Sequence, residues 1–270
     1  SCASKRASGH SPDAHSFRCG ISPWNSAAKT FFVWITEMPA ERKDQSFALP
    51  RSLTGLRFLC RCDRMKPINL NLWGKDSMKI GVIQASSQKE KNNIIFESVT
   101  KTVKPLGHEV VNFGVFDDSP QQYSYIEVAI CVSLLLSSRS VDFVVTGCSS
   151  GQGMMLACNS LPGVLCGYTP TPQDAFLFGR INNGNATSLP LGLNWGWLGE
   201  INLRCTLSEL FHGPFGEGYP VHDADRKRRD TKLLKQMNET VKKTWVDIID
   251  DIDRESLKKA KRFAKRFTKQ

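Results

Sequence analysis

Between residues 78 and 222 the hydrophobic pattern switches period in a regular order. Residues 79–84 are a short, nearly unbroken apolar run, Lys-Ile-Gly-Val-Ile-Gln, of the length of a buried strand. Residues 88–103 then place Ile94, Ile95, Val99 and Val103 at helical spacing, and Pro105 and Gly107 end that helix. The alternation continues with a strand at 109–113, a helix at 121–137 and a strand at 141–146. A helix follows from just after Gly153 to about Asn159, then a strand at 163–168, a helix at 173–181, a strand at 187–191 and a helix at 200–211. Strands alternating with helices imply parallel pairing, with helices covering both faces of the sheet. The expected fold is α/β: a Rossmann-like three-layer α/β/α sandwich on a five-stranded parallel sheet, carrying a C-terminal helical extension. Ligands of such sheets bind where the strands end.

The flanks read differently. Residues 1–77 mix Ser, Arg, Pro, Trp and Cys with no sustained period, and are expected to be a disordered extension or a non-native leader. A transit peptide fits only partly, because Glu37, Glu41 and Asp44 intrude. Residues 78–222 form the α/β domain, and residues 223–270 the helical extension. There Leu233, Leu234, Met237, Val241, Trp245, Ile248 and Ile249 read as one apolar stripe, expected to pack on the domain or on a partner subunit. A membrane-surface helix is the sharper alternative.

Composition narrows the function classes. With 40% hydrophobic and 23% charged residues, the 270-residue chain is ordinary globular material. Its longest apolar runs, such as 132–136, fall far short of the roughly 20 residues of a membrane span. The net charge of +10 is uneven: residues 1–77 hold 12 Lys and Arg against 6 Asp and Glu, a net of +6. Basic clusters at 226–229 and 258–269 suit a small anionic substrate. They lack the interleaved aromatics that stack bases, so nucleic acid is not the expected partner. The nine cysteines show no zinc-ligand spacing, Cys60 and Cys62 being one residue apart. Cys131, Cys158 and Cys205 on helix faces, and Cys166 in a strand, read as reduced core thiols of a cytoplasmic protein.

Cys148 stands apart. The third strand runs into Gly147-Cys148-Ser149-Ser150-Gly151-Gln152-Gly153-Met154. Small residues there let the backbone turn tightly into a helix, so that several N–H groups converge and stabilise an anion. A thiol beside that field gains thiolate character, as proton abstraction next to a carbonyl requires. A glycine turn that merely permits close packing is the plain alternative. A dinucleotide site is disfavoured because the turn follows the third strand, and no acidic residue ends the next strand to hold a ribose.

These residues resemble the type B ribose-5-phosphate isomerases and the galactose-6-phosphate isomerase subunits, over roughly residues 78–229. The segment from Leu106 to Gly114 is similar to the family's second strand and its preceding turn, and Cys148 to Met154 to its Cys-Gly-Thr-Gly-Ile-Gly-Met signature. Ala157-Cys158-Asn159 is similar to its Ala-Ala-Asn segment. Asn182-Asn183-Gly184-Asn185-Ala186 resembles its His-Asn-Asp-Ala-Asn stretch, with a one-residue insertion.

The resemblance implies an aldose–ketose isomerase acting on a small sugar phosphate through a cis-enediol, with no cofactor or metal. Cys148 would move the proton, and Ser150 with the amides of Gly151 and Gly153 would hold the enediolate oxygen. Ser149, Gln152, Asn159, Asn183, Arg226 and Arg229 would complete substrate binding, the arginines gripping phosphate. It also implies a homodimer or dimer of dimers with an intersubunit active site. The chain departs from the pattern at Ala85-Ser86-Ser87, where the family has an Asp-His pair, and at 167–172, where a later His is missing. His108 and His212 read as surface or turn residues. A sugar-phosphate-binding module without turnover on the same fold is the alternative.

Overall fold

A computed structural model describes residues 77–193 and 195–268, with side chains through residue 263. The expectation for residues 1–77 falls, Ser77 apart, outside the described residues. Five strands, β1 (Lys79–Ile83), β2 (Glu109–Gly114), β3 (Phe143–Cys148), β4 (Cys166–Tyr168) and β5 (Ala186–Pro190), form one sheet in the order β2-β1-β3-β5-β4. Every pairing is parallel. Helix α1 (Asn92–Val103) packs on α5 (Gly199–Phe211) over one face, with α4 (Pro172–Leu177) against α5. Helices α2 (Tyr125–Ser137) and α3 (Gln152–Asn159) cover the other face. The three-layer α/β/α sandwich is therefore as expected.

The central strands bury both faces. Phe143 and Val145 point into the core shared with α1 and α5, and Val144 into the core shared with α2. That two-sided burial is why these strands read as continuous apolar runs without alternation. Helix α2 begins with a capping box, Ser124 and Glu127 each serving the other's backbone. All its residues from Glu127 to Leu136 are buried.

The cover over α2 comes from the C-terminal extension, and here the single stripe is corrected. Helix α6 (Ala224–Val241) ends when Lys242 turns extended, and Thr244 caps a new short helix α7 (Trp245–Ile248) with Asp247. The register of the stripe is cut at that point. Leu233, Leu234, Met237 and Val241 stay exposed on α6. Trp245 and Ile249 are buried, and Trp245 Nε1 donates to Ser133 Oγ of α2 at 2.9 Å. Helix α8 (Arg254–Thr268) lays Leu257, Ala260 and Phe263 on α2, with Phe263 edge-on to Tyr123 at 4.7 Å. Among the described residues, no helix is long and apolar enough to cross a membrane.

Three smaller differences bear on the site. The expected helix 88–103 is a 3₁₀ run, Ser86–Lys91, kinked at Gln88, followed by α1. The third strand starts at Phe143, because Ser140 and Val141 still bond the end of α2, and it extends to Cys148. The expected helix 173–181 splits into α4 and a π turn, Phe178–Asn182. Cys205 is exposed, not a core thiol: the buried face of α5 is carried by Leu203, Thr206, Leu207 and Leu210, and Cys205 lies off it.

Candidate active site

Cys148 is the last residue of β3, in register with Pro190 of β5, and keeps 7% of its surface exposed. Helix α3 starts four residues later, with its first N–H groups, those without an intrahelical acceptor, at this end. Gly151 caps it in the left-handed region at φ 76°. A side chain there would meet the Tyr168 ring at 2.7 Å and the Leu189 carbonyl carbon at 3.0 Å, so glycine is required. Its carbonyl accepts from the buried Ser188 Oγ at 2.7 Å, which anchors the turn to β5. Ser150 and Gly153 are half-buried and Gln152 is exposed. The turn predicted from the sequence is thus one unit around Cys148.

The neighbouring loops close on the same turn. Gly192 N donates to the Ser149 carbonyl at 2.8 Å, and Ala85 N to the Gly147 carbonyl at 3.0 Å. Ser149 Oγ receives a hydrogen bond from Gln88 Nε2 at 3.0 Å and donates to Ser87 Oγ at 3.2 Å. Lys91 Nζ donates to Gln88 Oε1 and to the Leu191 carbonyl, both at 2.5 Å, and lies 5.0 Å from the centre of the Trp195 ring. Burial lowers the Lys91 pKa, against an opposing pull from Glu90.

Ser87, Gln88, Lys91 and Trp195 were not singled out from the sequence. The available signal was their position, since residues 86–91 leave β1 at the strand end where ligands of such sheets bind.

The remaining predicted residues lie elsewhere. Asn159 ends α3, and its amide makes two bonds to the backbone of Cys166, at 2.8 and 2.9 Å. It seals the outer edge of β4 in place of a further strand. Asn183 precedes β5, whereas Cys148 pairs with the last residue of β5. At about 3.3 Å per residue, the strand alone puts more than ~13 Å between them. Asn183 is buried in the left-handed region at φ 50°, and its Oδ1 has no hydrogen-bond partner among the described residues.

Arg226 and Arg229 lie on α6, which is tied to the same distal side by the bond from Thr231 Oγ1 to the Ile181 carbonyl at 2.5 Å. Arg226 is already paired with Asp223 and Asp230, and Arg229 is exposed. Within one chain the structure brings together Cys148 and its turn, and does not bring Asn159, Asn183, Arg226 or Arg229 to it.

Of the other thiols, burial pushes those of Cys131 and Cys166 up, which keeps them unreactive. His108 is half-buried behind the turn before β2, where its Nδ1 accepts from Met78 N at 3.3 Å. A cavity of about 440 Å³ opens beside β4, lined among others by Cys166, Tyr168, Asp174, Phe178 and Asn182; Cys148 does not line it. Among the described residues, no three of His, Cys, Asp and Glu gather as a metal ion would need.

Comparison with known proteins gives a consistent result. The family model described as ribose/galactose isomerase matches residues 80–195. A ribose-5-phosphate isomerase of this type from Vibrio parahaemolyticus is 42% identical, over 68% of this chain and 87% of that one, with a TM-score of 0.65. A 4-deoxy-L-threo-5-hexosulose-uronate ketol-isomerase, solved in complex with a tartrate, is 38% identical over 68% of this chain and 86% of its own, also with a TM-score of 0.65. The type B ribose 5-phosphate isomerase of Trypanosoma cruzi, at 17% identity, 60% and 99% coverage and a TM-score of 0.50, shares the fold. No curated protein matches the chain.

Proposed function

The chain belongs to the ribose/galactose isomerase family, and we propose that it interconverts the aldose and ketose forms of a small sugar phosphate, with Cys148 carrying the proton. The observation that supports this most directly is the position of Cys148, which ends β3 immediately before a left-handed glycine cap and a helix N-terminus and is buried but for 7% of its surface. The Cys148 thiolate takes the proton from the carbon beside the carbonyl, and the electron pair of that C–H bond moves to form an enediolate. The Ser150 hydroxyl and the N–H groups of Gly151 and Gly153 hold the oxygen that gains charge. Cys148 then returns the proton to the adjacent carbon, and a proton passes between the two oxygens, so atoms and charge balance. No organic cofactor enters this chemistry.

A sugar acid is a second substrate reading. One 38%-identical relative is a uronate ketol-isomerase, and in this chain Arg226 is already committed to Asp223 and Asp230.

The distal position of Asn183 and Arg229 favours a site completed by a second copy. The exposed Leu233, Met237 and Val241 of α6 offer a face for that copy. Mixing inactive Cys148→Ala and Asn183→Ala proteins then restores turnover through mixed dimers; no restoration counts against a shared site.

The deciding experiment is deuterium incorporation from solvent at C2 of ribose 5-phosphate, other phosphorylated pentoses and hexoses, and uronates, with tartrate as a binding probe. Wild type is expected to exchange, and Cys148→Ala to lose roughly 10³-fold or more. Equal exchange by both proteins removes Cys148 as the base. Binding without exchange in the wild type marks a sugar-phosphate-binding module instead.

A further inference from the structure

The loop after β1 holds a series of hydrogen bonds whose direction is set from one end. An ammonium donates and cannot accept. Lys91 Nζ, held between the Leu191 carbonyl and Gln88 Oε1, therefore determines which way the Gln88 amide points. With its oxygen toward Lys91, Gln88 presents its NH₂ to Ser149 Oγ. That amide nitrogen cannot accept in return, so Ser149 directs its own proton to Ser87 Oγ. Ser87 accepts on that side, which leaves its proton for an outside partner, and its residue is exposed. A one-way chain thus leads from a half-buried cation, through the residue adjoining Cys148, to an outward hydroxyl.

Architecture alone does not ask for this arrangement. Ser87 and Ser149 are exposed, and water would satisfy both equally well.

We propose that Ser87 donates a hydrogen bond to an oxygen of the substrate bound at Cys148, with Lys91 and Gln88 as positioning residues that hold its proton outward. This rests on the isomerase reading of Cys148 given above. A hydroxyl held as a donor selects an oxygen that only accepts: a carbonyl, a carboxylate or the developing enediolate. The same loop, Ala85-Ser86-Ser87, has no carboxylate or imidazole to take a proton from a ring hydroxyl. The site therefore favours an open-chain carbonyl sugar over its cyclic form.

A double-mutant cycle tests the chain. In Gln88→Glu the carboxylate only accepts, so Ser149 turns its proton to residue 88 and Ser87 turns its proton inward. Turnover of ribose 5-phosphate and of 4-deoxy-L-threo-5-hexosulose uronate is measured for Ser87→Ala, Gln88→Glu and the double variant, with melting temperatures confirming the fold. Each single variant is expected to lose roughly tenfold or more, mainly in kcat, since the bond strengthens as charge develops on oxygen. The double variant is expected to lose no more than Ser87→Ala alone, and Lys91→Arg to retain what Lys91→Met loses. If the two losses multiply in the double variant, Gln88 does not act through Ser87 and the proposal falls.

Calorimetric titration with tartrate separates this proposal from the isomerase reading. Absence of turnover in the wild type counts against the isomerase, while the same cycle run on the tartrate dissociation constant still decides the donor chain. There, coupled losses support it; multiplying losses, unchanged affinity in Ser87→Ala, or no tartrate binding by the wild type overturn it.

Discussion

The two ends of the five-stranded sheet use similar side chains to opposite effect. Where β1, β3 and β5 stop, Ser87 and Gln88 bond Ser149, the residue after Cys148, and Ser87 and Ser149 keep exposed surface. Where β4 and β5 begin, most polar side chains are held by backbone, although Asn183 Oδ1 and Arg180 Nε have no partner among the described residues. Asn185 accepts from Leu165 N and donates to the Gly163 carbonyl, both at 2.8 Å. Arg180 donates to the carbonyls of Leu210 and His212, and Asn159 holds Cys166. A buried polar group whose bonds all end on main chain is architecture, because leaving those partners unmade is costly. A polar group that keeps an open bond beside a thiol is placed for a ligand. Residue type alone does not separate the two; the destination of the hydrogen bonds does.

The contrast is tested most severely at Gly151. Gly151→Ala forces a side chain into the left-handed region against Tyr168 and Leu189. It is expected to cost about 3 kcal/mol in urea unfolding and to lower turnover roughly 100-fold. A stable, active variant would show that the turn tolerates other geometries and that the N–H cradle is not set by this cap.

Asn185→Ala probes the other end. Two part-buried backbone groups lose their partners, so about 2 kcal/mol of stability should disappear while kcat per folded molecule stays unchanged. A fall in kcat at constant stability would erase the division between the ends.

Trp245→Phe, on the face of α2, removes the bond to Ser133 and is expected to cost about 1 kcal/mol with no kinetic effect.

The smallest expected effect concerns pH. Burial pushes the Glu127 carboxyl up. The Ser124 hydroxyl and backbone N–H, with Lys259 nearby, outweigh that and hold it below the usual carboxylate value. A carboxylate depressed in the folded state stabilises above its unfolded pKa, and the contribution disappears as pH falls through the folded value. Glu127→Gln should therefore flatten the wild type's loss of stability below about pH 4, by roughly 1 kcal/mol or less. Identical acid-unfolding profiles would mean that the cap carries no net charge effect.

Much of this was legible in the chain. Val144 and Val145 in β3, the stops at Pro105 and Gly107, and the glycines around Cys148 are local signals, and they placed the strands, the sandwich and the thiol. The errors lie where local signals end. Periodicity predicts one helix through the apolar stripe from Leu233 to Ile249, because it does not register that Lys242 turns extended. The same periodicity puts Cys205 in the core, although the buried face of its helix runs through Leu203, Leu207 and Leu210. Residues 85–87 do lack the Asp-His pair, but no local pattern shows that Ser87 and Gln88 meet Ser149.

What the sequence by itself determined is therefore the order of strands and helices and the presence of one thiol at a strand-to-helix turn, since both follow from short-range sterics and side-chain periodicity. Only the tertiary structure decided which residues share that thiol's end of the sheet. Ser87 and Ser149 meet across 62 positions, and Asn183 falls at the far end, because strand order and parallel direction set these distances and no local pattern encodes them.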